Sequence, residues 1–265
     1  MWVIQRAREF DSQSGTPIPT VFERLKACTA EFRYAQLHLI AAAPGIGKSI
    51  VALTAAIRSG VPTMYFSMDS DAATQYSRAA SIVTGDEHSA VQEAVARGQV
   101  DRYDTALRKA SHIRFVFDSN PTTDEVNEHL MAYGYAYGQW PKLIIVDNVA
   151  DIFAETEGHE GLSQTMEWLA ALAKKTGACI IGLHHVTGEY EAGDIPVPLS
   201  GLRGKISKKP VLVLTLNRVA DNPNVINVAI VKNRGGIASA RGNYGCWLQA
   251  DLSRMWIETA IPQAA

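Results

Sequence analysis

Apolar and polar positions alternate along this chain in short blocks of two kinds. Nearly continuous apolar runs recur at Leu37-His38-Leu39-Ile40-Ala41, Thr63-Met64-Tyr65-Phe66-Ser67, Ile113-Arg114-Phe115-Val116-Phe117, Leu143-Ile144-Ile145-Val146-Asp147 and Ala178-Cys179-Ile180-Ile181-Gly182-Leu183. Runs this short, bounded by turn residues, predict buried strands. Between them lie helix-patterned segments: Ile50 to Ile57, Ala72 to Val83, Asp86 to Ala110, a start at Pro121-Thr122-Thr123-Asp124-Glu125, and Ser163 to Lys175 with Met166, Leu169, Ala170 and Ala173 at helical spacing. Strand alternating with helix predicts an α/β domain on a parallel sheet. Beyond residue 210 the pattern changes. Val211 to Leu216 and Val225 to Val231 read as a strand pair joined by the turn Asp221-Asn222-Pro223-Asn224, and Cys246-Trp247-Leu248 and Met255-Trp256-Ile257 read as closing strands.

Residues 1–36 carry no strong strand pattern, only a Ser/Gly/Pro loop from Asp11 to Thr20 and a helical piece from Val21 to Cys28. That helix can pack on its own domain or dock on a neighbouring subunit. The chain therefore divides into an N-terminal loop and helix, 1–36, and one large domain, 37–265. With 265 residues, 47% of them hydrophobic and 20% charged, it can bury a sizeable core. No apolar run approaches a membrane span, and Arg6, Arg8, Glu9, Asp11, Glu23 and Arg24 interrupt the stretch where a secretory signal would be apolar. A cytoplasmic protein is expected. Cys28, Cys179 and Cys246 are scattered and odd in number, which suggests neither a disulfide framework nor a zinc site. A net charge of −2 leaves nucleic-acid contact to a local basic patch.

The chemistry centres on Ala42-Ala43-Pro44-Gly45-Ile46-Gly47-Lys48-Ser49, between the first strand and the helix from Ile50. Such a loop turns successive backbone N–H groups onto one phosphate chain, the helix N-terminus adds positive potential, Lys48 reaches the outer phosphates, and Ser49 can hold Mg²⁺. Pro44, Gly45, Ile46, Gly47, Lys48 and Ser49 are thus the candidate nucleotide contacts. Ala42 stands where the usual pattern has glycine, a mild departure because Gly45 and Gly47 keep the needed backbone freedom.

Asp69 and Asp71 follow the second strand, at the strand-end rim where parallel sheets gather ligands. Asp71 reads as a helix cap. Asp147 ends an apolar strand, so a buried strand delivers one carboxylate to the rim, where it can ligate Mg²⁺. His184 and His185 end another strand and point to opposite faces, a poor zinc pair but a fair way to place one imidazole near a γ-phosphate. In the long loop after them, Arg203, Lys205, Lys208 and Lys209 fall within seven residues free of acids and suit a phosphate backbone. Lys232 and Arg234 share one face of an extended segment before Gly235-Gly236; they read either as a clamp on a phosphate supplied by another subunit or as surface hairpin charges. Tyr133, Tyr135, Tyr137 and Trp140, with no basic residue interleaved, read as cover for a sheet edge more than as a base-stacking platform.

Taken together, from about Leu37 to Trp247, these residues resemble the motor domain of the DnaB-like replicative helicases of the RecA superfamily, and the chain is also similar to compact plasmid helicases of the RepA type. The phosphate loop and Asp147 are shared across the superfamily; more specific are Tyr65-Phe66-Ser67-Met68-Asp69 with Arg78 downstream, Leu199-Ser200-Gly201-Leu202-Arg203-Gly204, and Lys232-Asn233-Arg234-Gly235-Gly236. The resemblance implies a RecA-like phosphate-loop ATPase core, a mostly parallel sheet flanked by helices with a C-terminal antiparallel extension. It implies ATP and Mg²⁺ as cofactors, single-stranded DNA as partner, and a homo-oligomeric ring, hexameric in this family. Asp69 stands where the family carries its water-polarising glutamate, one methylene shorter. His185 stands at the γ-phosphate-sensing position, Lys232 and Arg234 match the lysine and arginine finger that reach a neighbour's nucleotide, and Arg203, Gly204 and Lys205 fall on the loop that tracks DNA phosphates. The 36 residues before Leu37 are too few for a primase-interacting domain, as expected of a phage or plasmid motor. A RecA/RadA-like strand-pairing ATPase and a DNA-independent regulatory ATPase are the alternatives.

Overall fold

A computed structural model describes residues 13–153, 158–202, 206–219 and 222–259. Among the described residues nine strands form one sheet in the order β3-β2-β4-β5-β1-β6-β7-β8-β9. Six run parallel: β1 (Leu37–Ala42), β2 (Thr63–Ser67), β3 (Ile113–Val116), β4 (Leu143–Asp147), β5 (Cys179–His185) and β6 (Leu212–Val219). Then β7 (Asn222–Asn233), β8 (Gly245–Asp251) and β9 (Trp256–Ile257) continue it antiparallel. The expected α/β architecture with its antiparallel extension is therefore the observed one.

β1, β2 and β4 are buried along their whole length and β5 until His184 and His185 at its end, as expected where helices cover both faces of a parallel sheet. Among the described residues the α-helices are α1 (Glu23–Ala27), α2 (Lys48–Ser59), α3 (Ala72–Thr84), α4 (His88–Ala96), α5 (Asp101–Leu107), α6 (Thr123–Tyr137) and α7 (Gly158–Thr176). Asp71 caps α3 by accepting from the Thr74 N–H at 2.7 Å, and Thr122 with Glu125 forms a reciprocal capping box on α6. Among the described residues no helix is long and apolar enough to cross a membrane. Cys28, Cys179 and Cys246 are free thiols.

Three details refine the sequence pattern. Of the expected turn, Asp221 lies outside the described residues, while Asn222, Pro223 and Asn224 lie inside β7; the ladder slips between Arg218 and Val219, so Pro223 sits at an irregularity where no ladder hydrogen bond is required of it. Asn222 still makes its local turn contact, its side chain accepting from the Asn224 N–H at 3.2 Å. Ile18, Val21, Phe22, Leu25 and Phe32 enter the same core as the sheet, and Arg24 of α1 pairs with Glu258 at 2.8 Å. The aromatic cluster splits. Tyr133 is buried, whereas Tyr135, Tyr137 and Trp140 are exposed; Tyr137 lies under the Arg114 guanidinium of edge strand β3 and accepts its N–H at 2.6 Å.

Candidate active site

Register alone assembles the rim. Ala42 of β1 is level with His185 of β5, and Ser67 of β2 is level with Asp147 of β4, so the loops leaving four parallel strands open on one edge. Into that edge falls a cleft of about 340 Å³ lined by Pro44, Gly45, Gly47, Lys48 and Ser49 of the loop and helix start and by Asp69, Ser70, Arg78 and His185.

The loop between β1 and α2 needs its two glycines. Gly45 has φ +75° and Gly47 φ +110°, conformations an L side chain rarely adopts, and a Cβ on Gly47 would also press on Ile226 at 3.3 Å. Ile46, between them, is buried and anchors the loop to the core. α2 then starts at Lys48 without a side-chain cap, which leaves its first N–H groups free for an anion.

Lys48 is buried, and burial lowers its pKa, opposed by the nearby Asp147 and Asp69 carboxylates. Its ammonium lies 3.0 Å from His185 Nε2, and the same Nε2 lies 3.4 Å from Asp69 Oδ2. Asp69 itself is exposed. On the opposite face of β5, His184 is held neutral, its pKa pushed down to about 4 by burial and then by His185 and Lys48. Its Nδ1 has no hydrogen-bond partner among the described residues.

Asp147 is buried at the end of β4. Its Oδ2 accepts from the Tyr65 hydroxyl at 2.9 Å, while Oδ1 is buried with no hydrogen-bond partner among the described residues. A buried carboxylate oxygen left unpaired is costly, and a hard cation or its water satisfies it. The Ser49 hydroxyl lines the cleft beside Lys48, and a carboxylate with a hydroxyl is an oxygen donor set of the kind that suits Mg²⁺. Asp151 adds a third carboxylate near the rim; it accepts from Asn148 Nδ2 at 2.7 Å, and its pKa is raised by burial and by Asp69 and Asp147.

Residues 17–242 match the DnaB-like helicase C terminal domain family. The chain belongs to that family. It is 39% identical to the Gene 65 protein of Mycobacterium phage L5 over 91% of this chain and 92% of that one. It is 42% identical to the Gene 65 protein of Mycobacterium phage D29 over 77% and 91%. It is also 26% identical to the replicative DNA helicase DnaB of Leifsonia xyli subsp. xyli over 84% of this chain and 52% of that protein. Among solved structures, one described as an ATPase domain superposes with a TM-score of 0.78 at 15% identity, covering 97% and 96% of the two chains. A DnaB-like replicative helicase solved in a study of its interactions with primase superposes at 0.77 and 16% identity, covering 95% and 63%.

In this DnaB-like domain Lys232 and Arg234 lie far from the cleft of their own chain. Asn233 is paired with Leu212, which is level with His38, so Arg234 leaves the sheet at the edge opposite the phosphate loop, about 13 Å or more below Ala42 at about 3.3 Å per residue. Lys232 Nζ donates to the Ser207 and Lys208 carbonyls at 2.6 and 2.9 Å, and Arg234 Nη2 donates to the same Lys208 carbonyl at 3.3 Å. Burial, followed by the Arg234 charge, pushes Lys232 down to about 8. The two cations do share a face. Lys209, from the basic run, pairs with Glu167 of α7 at 3.0 Å. Arg203, Gly204 and Lys205 lie outside the described residues.

Sequence reasoning missed Arg218, whose Nη2 donates to the Gly45 carbonyl at 2.9 Å and braces the phosphate loop. It also missed Asp151, the Tyr65 hydroxyl, and Leu252 and Met255, which line the cleft. Tyr65 opens the motif that ends in Asp69, but nothing in that motif marks its hydroxyl as a partner of Asp147; Arg218, Leu252 and Met255 carry no local motif and reach the rim only because β6, β7 and β8 are added to the sheet beside β1.

Proposed function

We propose that this domain is an ATP-driven DNA helicase motor of the replicative kind, working as a ring in which each ATP site is completed by a neighbouring copy. The observation that carries this reading is the division of the machinery between two edges of one sheet. Lys48, Asp69, Asp147 and His185 converge at one edge, while Lys232 and Arg234 sit at the other, out of reach of their own cleft.

The loop amides and Lys48 bind the phosphate chain, and Asp69 orients a water for in-line attack on the γ-phosphorus, with the leaving phosphate's charge taken by Lys48 and a neighbour's Arg234. Ser49 and Asp147 would hold Mg²⁺, which supplies charge neutralisation on the phosphate oxygens. His185 touches both Lys48 and Asp69 and so registers whether the γ-phosphate is present. Arg203, Gly204 and Lys205 are assigned to the phosphates of single-stranded DNA on sequence resemblance.

Mixed assemblies test the shared site. Lys48→Ala and Arg234→Ala are each expected to abolish ATP hydrolysis and unwinding of a forked duplex, with Arg234→Ala keeping ATP binding. Mixed together they are expected to recover part of the hydrolysis, because some interfaces then join an intact phosphate loop to an intact Arg234. Full turnover by Lys48→Ala would overturn the ATPase reading, and no recovery in hetero-assemblies that demonstrably form would overturn the shared site.

A further inference from the structure

Lys232 and Arg234 face the Ser207 and Lys208 carbonyls, and Asn233 between them turns the other way, as strand alternation requires. Its Nδ2 donates to the Thr29 carbonyl at 3.0 Å, and its Oδ1 accepts from the Gly235 N–H at 2.9 Å. One side chain therefore closes the turn after Arg234 and ties that turn to the end of α1. The contact continues at Gly236, where an added Cβ would collide with the Thr29 hydroxyl and come within 3.0 Å of Thr29 Cβ. Glycine is needed there for close approach.

Thr29 is itself held. Its N–H donates to the Lys26 carbonyl at 2.8 Å and the Ala30 N–H donates to the Leu25 carbonyl at 2.9 Å, which leaves Thr29 with a left-handed backbone, φ +58°. Helices commonly end this way on glycine, and a β-branched residue stays in that conformation only where its surroundings fix it. α1, five residues long, is too short to stand alone. Arg24 fastens it to the buried Glu258 carboxylate with bonds of 2.8 and 3.2 Å, the Glu23 N–H donates to the Thr259 carbonyl at 3.0 Å, and the Cys28 thiol donates to the Gly245 carbonyl of β8 at 3.7 Å. The helix is thus fixed to the antiparallel end of the sheet, and the loop carrying Arg234 is fixed to the helix.

A guanidinium that takes up charge on another copy's phosphate must be aimed from its own copy, because misplacement by about 1 Å costs rate. The Arg234 side chain is exposed and its bond to the Lys208 carbonyl is long, 3.3 Å, so its aim depends on the backbone beside it. We propose that Asn233 and Thr29 are positioning residues for Arg234, through which α1 sets where the two cations are presented to the neighbouring copy. The inference rests on the shared-site reading above and deepens it by naming the part of the chain that aims the residue acting in the neighbour.

Steady-state ATP hydrolysis by the assembled full chain tests this. Asn233→Ala is expected to lower kcat about tenfold at nearly unchanged KM for ATP, the pattern of a contact made only in the transition state. Gly236→Ala is expected to do the same, and adding Thr29→Gly, which removes the obstructing side chain and suits φ +58°, to restore turnover. Mixing Asn233→Ala with Lys48→Ala subunits is expected to raise turnover per intact phosphate loop, because the Lys48→Ala copy brings an intact Arg234 loop. Wild-type kcat in Asn233→Ala and Gly236→Ala, or a Gly236→Ala defect that Thr29→Gly does not relieve, would overturn the positioning role. So would recovery in mixtures of Arg234→Ala with Lys48→Ala but not of Asn233→Ala with Lys48→Ala, since the defect would then lie in the variant's own cleft. If neither mixture recovered, the shared-site reading itself would fail, a result distinct from the others.

Discussion

Lys48 Nζ lies 3.0 Å from His185 Nε2, a contact between the first helical residue after the phosphate loop and the last residue of a strand 137 positions later. Because the imidazole also reaches Asp69, it stands between the group assigned to bind the γ-phosphate and the group assigned to activate water. A phosphate entering the cleft competes with His185 for the ammonium. Removing the ring while leaving the rest intact, His185→Ala, is expected to lower kcat about a hundredfold while ATP binding stays within a few fold. His185→Gln, which keeps a donor and an acceptor, is expected to retain more turnover. Stopped-flow hydrolysis beside nucleotide binding checks both, and a His185→Ala enzyme with wild-type kcat would remove His185 from the mechanism.

Among the described residues Tyr65 is the donor to Asp147 Oδ2. Tyr65→Phe keeps the ring in the core and leaves a buried carboxylate oxygen unpaired, at a cost of roughly 1–3 kcal/mol. Because partners of a metal-binding carboxylate orient it, the Mg²⁺ concentration for half-maximal ATPase should rise about tenfold. Magnesium titration beside a thermal melt reads both quantities; unchanged Mg²⁺ dependence would take Asp147 away from the metal.

Lys232 is discharged more easily than an ordinary lysine, with its pKa at about 8. A folded-state pKa below the unfolded one means that ionised Lys232 costs stability below about pH 8, a cost relieved as pH rises from about 8 to its ordinary value near 10.5. On the proposed shared site function runs the opposite way, since the charge assigned to the neighbouring site is lost over the same interval. ATPase activity of the assembled protein should therefore fall above about pH 8. Lys232→Arg, whose guanidinium keeps its proton, should move that fall to higher pH; an identical profile in wild type and variant would separate the alkaline limb from Lys232.

His38 is fully buried within the sheet, Nδ1 against the Ile180 carbonyl at 3.1 Å and Nε2 accepting from the Arg33 N–H at 3.1 Å. Burial pushes its pKa down to about 4 from 6.5. The unfolded chain therefore takes up a proton between pH 6.5 and about 4 that the folded one does not, and stability falls as pH drops through that window. The loss is on the order of 3 kcal/mol. His38→Gln should flatten the acid limb of a denaturant-midpoint profile, and an unaltered limb would assign it elsewhere.

Local pattern was enough for the strands, the phosphate loop and the carboxylate ending β4, because each depends on neighbours in sequence: an apolar run buries as a strand, glycines permit the positive φ that a cradle needs, and Asp71 caps because it precedes a helix. The order of the strands was not local, and much of the site depends on it. Arg218 braces Gly45, Tyr65 holds Asp147, and Leu252 and Met255 close the cleft because strands distant in sequence are hydrogen-bonded side by side. Turn-forming residues misled only at the start of β7, where ladder pairing with β6 overrode the local preference of Asn222 and Pro223. The same sheet order placed Lys232 and Arg234 at the edge away from Lys48. Sequence could put those two cations on one face, since that follows from a two-residue repeat, but which edge they occupy is a property of β7 running antiparallel to β6 and exists only once the sheet has formed.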